Sequence, residues 1–146
     1  MTDNSVVVSV RRATTLDPLD HLIDGAHARA LHARGGVALL EQLWGSETTI
    51  DQVRAAVAHC VRNGQIWLAH DGQRIVAGAL VRERCVQAIW VEAGHRRQGV
   101  ASAVLHTLLG GDGAPLDAWA LPGDRATKSL YESVGWKARL LTMRGA

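Results

Sequence analysis

Apolar and polar residues alternate along Ser5–Arg12, a valine-rich stretch whose period of two predicts a first strand. The period then lengthens. Asp17-Pro18 has the form of an N-cap followed by proline in the first turn. Leu19, Leu22, Ile23, Ala26 and Ala30 follow at helical spacing, and that helix is expected to end near Gly35-Gly36. Val37–Trp44 is apolar without a decisive period, which fits a short helix or a structured loop. Thr49-x-x-Gln52 has capping-box spacing, and Ile50, Val53, Val57, Cys60 and Val61 share one helical face. Asn63-Gly64 supplies a stop.

Strand patterns dominate the middle of the chain. Gln65–His70 and Arg74–Val81 read as strands joined by an Asp71-Gly72 turn. Cys85–Val91 is apolar almost throughout, as a strand covered on both faces would be. Gly99–Leu109 is helical by period, with Val100, Ala101, Val104, Leu105 and Leu108 facing inward. Gly110–Pro115 is a turn-rich loop and Leu116–Leu121 a short strand. Asp124 can cap a helix carrying Ala126, Leu130 and Val134, which Gly135 ends, and Trp136–Met143 is the last strand. The order β-α-α-β-β-β-α-β-α-β predicts an α/β fold, a mixed sheet flanked by helices, in a single domain over residues 1–146. Right-handed crossovers fit Cys85–Leu121 and Leu116–Met143.

Composition narrows the classes. With 47% hydrophobic residues the chain can build a sizeable core, and a net charge of +2 argues against a nucleic-acid partner. Cys60 and Cys85 show no ligand spacing and read as buried reduced thiols, which fits a cytoplasmic protein. Met1–Arg12 lacks the form of a signal peptide and no apolar run reaches membrane-spanning length, so no membrane association is expected. The seven histidines make no zinc pattern, so no metal is expected; His27 and His32, five apart, do not share a face.

Chemistry concentrates after the strand ending at Val91. A short polar loop, Glu92–Gln98, leads into a helix beginning at or just before Gly99. The first turn of a helix has backbone N–H groups without internal partners, and the macrodipole adds positive charge there. Gly99 and Ala101 keep bulk away, Arg96 and Arg97 add charge, and Ser102 adds a hydroxyl. An anion site is expected, and a pyrophosphate suits it. The Gly-Lys-Ser/Thr ending of a P-loop is missing, as is the dinucleotide Gly-x-Gly-x-x-Gly turn. Gly110-Gly111-Asp112-Gly113 follows a helix and is read as a loop only.

The run Arg96-Arg97-Gln98-Gly99-Val100-Ala101 resembles the Gln/Arg-x-x-Gly-x-Gly/Ala motif of the GCN5-related N-acetyltransferase (GNAT) superfamily. The flanks agree, with Val91 five residues before Arg96, although Ala93 stands where a proline is usual. Downstream, Asp124-Arg125-Ala126-Thr127-Lys128-Ser129-Leu130-Tyr131-Glu132-Ser133-Val134-Gly135-Trp136 is similar to the family's last helix. Tyr131, Gly135 and Trp136 match; Asp124 replaces the usual Asn and Thr127 the usual Ala. The resemblance covers Gly78–Trp136 and leaves the first half matched only in its order of elements.

That resemblance implies acetyl-CoA as acyl donor and direct transfer to an amine, without a metal. It implies that the backbone of Ile89, Trp90 and Val91 pairs with the pantetheine arm in a slot between the fourth and fifth strands. It implies that the N–H groups from Arg97 to Ser102 hold the pyrophosphate, with Arg96 beside them, and that Tyr131 is a general acid. Asp124 stands where the family's Asn often contacts the cofactor, though an acid suits a polyanion poorly and a plain N-cap fits it as well. Some relatives use a Glu on the fourth strand or near the fifth as base; the corresponding residues here are Cys85 and Trp119, so that assignment fails. Glu83, Glu92, His70 and His27 are the replacements considered, with water as another carrier.

Acceptor specificity is expected in Leu19–Gly45, in the Arg82–Arg84 turn and in the last strands, and no strong carboxylate cluster for a polycation is evident. The acceptor remains open between a small molecule and a protein amine, and the resemblance leaves room for a homodimer. A CoA-binding sensor without transferase activity is the competing reading, and a nucleic-acid binder using Arg82, Arg84, Arg96 and Arg97 a third.

Overall fold

The computed structural model describes residues 7–45, 49–96, 98–111, 113–120 and 124–139. Among them the elements run β1 (Ser9–Arg12), α1 (Asp20–His32), α2 (Gly36–Trp44), α3 (Ile50–Arg62), β2 (Ile66–Asp71), β3 (Arg74–Arg82), β4 (Cys85–Val91), a single 3₁₀ turn (Ala93–His95), α4 (Val100–Leu109), β5 (Asp117–Ala118) and α5 (Arg125–Ser133). None of the described helices is long and apolar enough to cross a membrane.

The five strands form one sheet in sequence order. β1 to β4 pair antiparallel, and β5 joins β4 in parallel through Cys85↔Asp117 and Val86↔Ala118. Side chains alternate between the two faces of a strand. On one face, Leu68 and Leu80 pack with Leu22 and Ile23 of α1, Leu43 of α2 and Val53 and Val57 of α3. On the other, Val76, Ala77 and Ala79 pack with Val100, Val104 and Leu105 of α4 and Tyr131 of α5.

Local chemistry explains the boundaries. Thr49 caps α3 with the reciprocal box: its side chain accepts from the Gln52 N–H, and the Gln52 side chain accepts from the Thr49 N–H. The ambiguous segment before it is a helix, α2, entered through Gly35 with φ +75. α1 therefore ends at His32, short of the Gly35-Gly36 boundary read from the sequence. Asp17 does not cap α1. Leu19 holds that position, while Asp17 accepts from the Thr14 N–H and from the Arg11 guanidinium. The acid thus ties β1 to the chain entering α1. The β2–β3 loop is Gly72-Gln73, one residue beyond the expected Asp71-Gly72, because Asp71 pairs with Arg74.

The expected strand at Leu116–Leu121 shrinks to Asp117–Ala118, with Leu121 outside the described residues. Residues 136–139 of the expected last strand are not in a strand, and residues 140–143 lie outside the described residues, as do Ser5 and Val6 of the first. The chain leaves α5 at Val134, where Gly135 has φ +88.

The Arg11 hydrogen bond holds the Asp17 carboxyl down at about 2, against an opposing effect of burial. A lowered folded-state pKa means that this stabilisation is present above the ordinary carboxylate value and is lost as pH falls through about 2. Asp17→Asn is expected to cost about 1–2 kcal/mol at pH 7 and to flatten the acid limb of stability below pH 4, measured by urea unfolding at stepped pH. An unchanged acid limb would remove Asp17 from this role.

Candidate active site

The β4–β5 ladder stops early. Its last bond runs from the Trp119 N–H to the Val86 carbonyl, after which no β5 residue accompanies β4. At the same place the β3–β4 register shifts: Leu80 faces Ala88 and Val81 faces Val86, which leaves Gln87 as the extra residue of a bulge. Beyond it, the Glu92 N–H bonds to the Val76 carbonyl on β3. Backbone groups alternate along a strand, so those of Trp90 and Ala88 also face β3, and those of Val91 and Ile89 face the empty edge.

A cavity of about 820 Å³ fills this divergence. Its walls include Gln87–Val91 of β4, Trp119 and Ala120 after β5, the start of α4, α5, and the inner faces of α1 and α2. Ile23, Leu43 and Trp119 belong to one core cluster and Val100, Tyr131 and Ile89 to the other. The cavity therefore passes from one face of the sheet to the other through the gap.

The start of α4 opens into it. Gly99 has φ +77, a left-handed conformation in which a β-branched side chain is strained, and no side chain caps the helix. The first intrahelical bond is Ala103 N–H to the Gly99 carbonyl, so the amides of Val100, Ala101 and Ser102 have no partner within the helix. All three residues line the cavity, together with Gly99, Arg96 and His95. Arg97 lies outside the described residues. Gln98 is not on the cavity wall; its amide reaches back toward the Gly94 carbonyl at 3.5 Å.

Arg29, on α1, also reaches this wall. Burial, and then the nearby Arg96 charge, push its guanidinium pKa below the ordinary value. Two like charges converge there, and neither has an ion-pair partner among the described residues. In the sequence Arg29 falls within Leu19–Gly45, the segment expected to select the acceptor. No local signal links α1 to the start of α4, since the link is made by the sheet between them.

Trp90 turns its backbone to β3, so its part in the cavity is its indole, not a backbone edge. Space for that ring comes from Gly78, where an added Cβ would stand 3.1 Å from Trp90 Cε3. Asp124 lines the cavity but is occupied as the α5 cap: Oδ1 accepts from the Thr127 N–H at 3.0 Å and Oδ2 from the Thr127 hydroxyl at 2.6 Å.

Tyr131 is buried at the cavity wall, stacked on Trp136 with ring centroids 5.7 Å apart, and its hydroxyl donates to the Trp119 carbonyl at 3.3 Å. Burial pushes its pKa up, with Cys85 and Asp124 adding to the shift. Both cysteines are buried and free; burial raises the Cys85 thiol to about 11.

The considered bases separate. His27 lines the cavity, with Nδ1 buried and unpartnered. Glu92 is held by Arg74. His70 sits with Arg11 and Asp17, away from the cavity wall. Glu83 is exposed in the β3–β4 turn, at φ +53. The residue missed on β4 is Gln87, 7% exposed and on the cavity wall. Arg82 Nε donates to Gln87 Oε1 at 2.6 Å, while its Nη2 donates to the Leu43 carbonyl and its guanidinium lies 5.3 Å from the Trp44 ring.

A mixed sheet parts at its fourth and fifth strands, with an open helix N-terminus at the split. Residues 62–138 match the family model "Acetyltransferase (GNAT) domain", and the chain belongs to that family of acetyltransferases. No curated protein matches the chain at the sequence level. Among solved structures, it is similar to a GCN5-related N-acetyltransferase from Ralstonia eutropha (15% identity, 96% of this chain and 99% of that one, TM-score 0.64). An N-acetyltransferase from Staphylococcus aureus is also similar (19% identity, 90% and 84% coverage, TM-score 0.62). So is an aminoglycoside N-acetyltransferase in complex with CoA (14% identity, 99% of both chains, TM-score 0.60). At these identities the likeness is one of fold. The mixed-sheet α/β class and the family resemblance read from the sequence both hold.

Arg82→Met is expected to lower unfolding free energy by about 2 kcal/mol, because it leaves Gln87 and the last turn of α2 without their donor. Limited proteolysis should then cut sooner near Trp44; a cleavage pattern like that of the parent protein would show that Arg82 does not hold α2.

Proposed function

We propose that this protein moves the acetyl group of acetyl-CoA directly to a primary amine. One observation carries the reading: the uncapped amides of α4, the unpaired edge of β4 and Tyr131 all border one cavity. The amides of Val100, Ala101 and Ser102, opened by Gly99, hold the diphosphate, with Arg96 beside them and Arg29 facing it from α1. The free edge at Ile89 and Val91 takes the amides of the pantetheine arm as an added strand. The Trp90 indole forms part of the slot, and Asp124 fixes the start of α5 beside it.

Val91 N–H polarises the thioester oxygen as negative charge develops on it. The amine nitrogen bonds to the carbonyl carbon, the C–S bond breaks with its electron pair on sulfur, and nitrogen sheds one proton toward solvent. Magnitudes decide the part of Tyr131. A phenol ordinarily titrates near 10, and a thiol near 8.5. Burial raises the phenol further, so full proton transfer to the leaving thiolate runs uphill by at least about 2 kcal/mol. Tyr131 therefore serves as a hydrogen-bond donor to sulfur, its hydroxyl turning to it from the Trp119 carbonyl that it meets at 3.3 Å, and solvent supplies the final proton.

Acetyl-CoA and CoA are expected to raise the melting temperature, and ATP is not. Ligand at about 100 times its Kd contributes about 2.7 kcal/mol. Gly99→Val should abolish that shift; a variant still stabilised by CoA would overturn the diphosphate site. Tyr131→Phe should lower kcat about 10- to 100-fold, the scale of one hydrogen bond to a charged group, with the CoA shift retained. Unchanged turnover would remove Tyr131 from the chemistry.

A further inference from the structure

The half of the cavity behind β4 differs in character from the half at α4. Ile23, Leu40, Leu43, Trp44 and Trp119 wall it, with Ala26 of α1 between them. Among the described residues, the polar aliphatic and imidazole side chains on this wall are Gln87 and His27. Gln87 Oε1 is engaged by Arg82, a donor-only partner, and the amide's other polar atom is an NH₂ group with protons to donate. A cation cannot use that group.

Charge along the whole cavity points the same way. Among the described residues the lining carries Arg29, Arg96, His95, His27 and Asp124, and Asp124 is the only carboxylate. Both of its oxygens already accept a hydrogen bond from Thr127, at the start of α5. A polyamine or an amino sugar would bring several ammonium groups to a site that, among the described residues, has two guanidiniums and no carboxylate besides Asp124. Each buried, unpaired charge costs several kcal/mol. A single amine on an apolar body gains from burial instead, roughly fourfold in binding for each methylene.

We infer that the acceptor is a primary amine carried on an aliphatic or aromatic body with no second charge, seated between α1, α2 and Trp119. This rests on the acetyltransferase reading above, and it excludes polycations as preferred substrates. Ala26 sets the depth of the chamber: it is half-buried, on the α1 face turned to the cavity.

The test uses the whole protein with acetyl-CoA and follows thiol release. The amines are propylamine to hexylamine, phenethylamine, spermidine and kanamycin. kcat/KM should rise about three- to fourfold per added methylene, and phenethylamine should exceed spermidine and kanamycin at least tenfold. Ala26→Leu should cut hexylamine and phenethylamine at least tenfold, change propylamine less than threefold, and leave the CoA-induced melting shift in place. A flat alkylamine series, a preference for spermidine or kanamycin, or no transfer to any amine while CoA still stabilises the protein would each overturn the acceptor class. Loss of the CoA shift in the parent protein would instead overturn the acetyltransferase reading itself.

Discussion

The site depends on β5 leaving β4 after a two-residue ladder. An unpaired strand edge is a cost unless something else satisfies it. Here the departure coincides with a bulge at Gln87, which bends and twists β4 at that point. The edge of Ile89 and Val91 is left facing a cavity instead of a neighbour. A continued ladder to Val91 would close the sheet, separate its two faces and remove the site.

Because the gap runs through the sheet, helices on opposite faces meet at one space. α4 brings amides and positive charge, α5 brings Tyr131, and α1 and α2 bring an apolar wall. The small side chains of Ala26 and Ala30 matter for what they leave open: the α1 stripe that looks like core packing divides into Leu22 and Ile23, which are buried, and the alanines, which face the cavity. Arg82 then braces this wall from the end of β3, reaching Gln87, the Leu43 carbonyl and the Trp44 ring together.

Charge is partitioned in the same way. The guanidiniums of Arg11, Arg54 and Arg74 are matched to Asp17, Asp24 and Glu92 away from the cavity wall or at its margin. Arg29 and Arg96 converge on the cavity with no carboxylate between them. Two like charges held near each other are unfavourable until an anion joins them, and the α4 amides beside them favour the same ligand.

Much of this was legible in the chain alone. The capping box at Thr49, the Gly99 turn and the Asp124 cap are set by contacts within a few residues, the strand Cys85–Val91 announces itself by its apolar run, and all four stand in the structure. The same locality made Tyr131 and Gly99 conspicuous. What tertiary structure alone decided are relations across the sheet: the early end of β5, the bulge that turns Gln87 inward, the approach of Arg29 to Arg96, and the turning of Trp90's backbone to β3. Asp17 shows the limit in one residue. Its sequence context suits a helix cap, yet the nearby Arg11 of β1, brought close by folding, offers a charged partner and takes the carboxylate. Short-range hydrogen bonds can be read from spacing, whereas pairings between distant segments exist only once packing has chosen the neighbours.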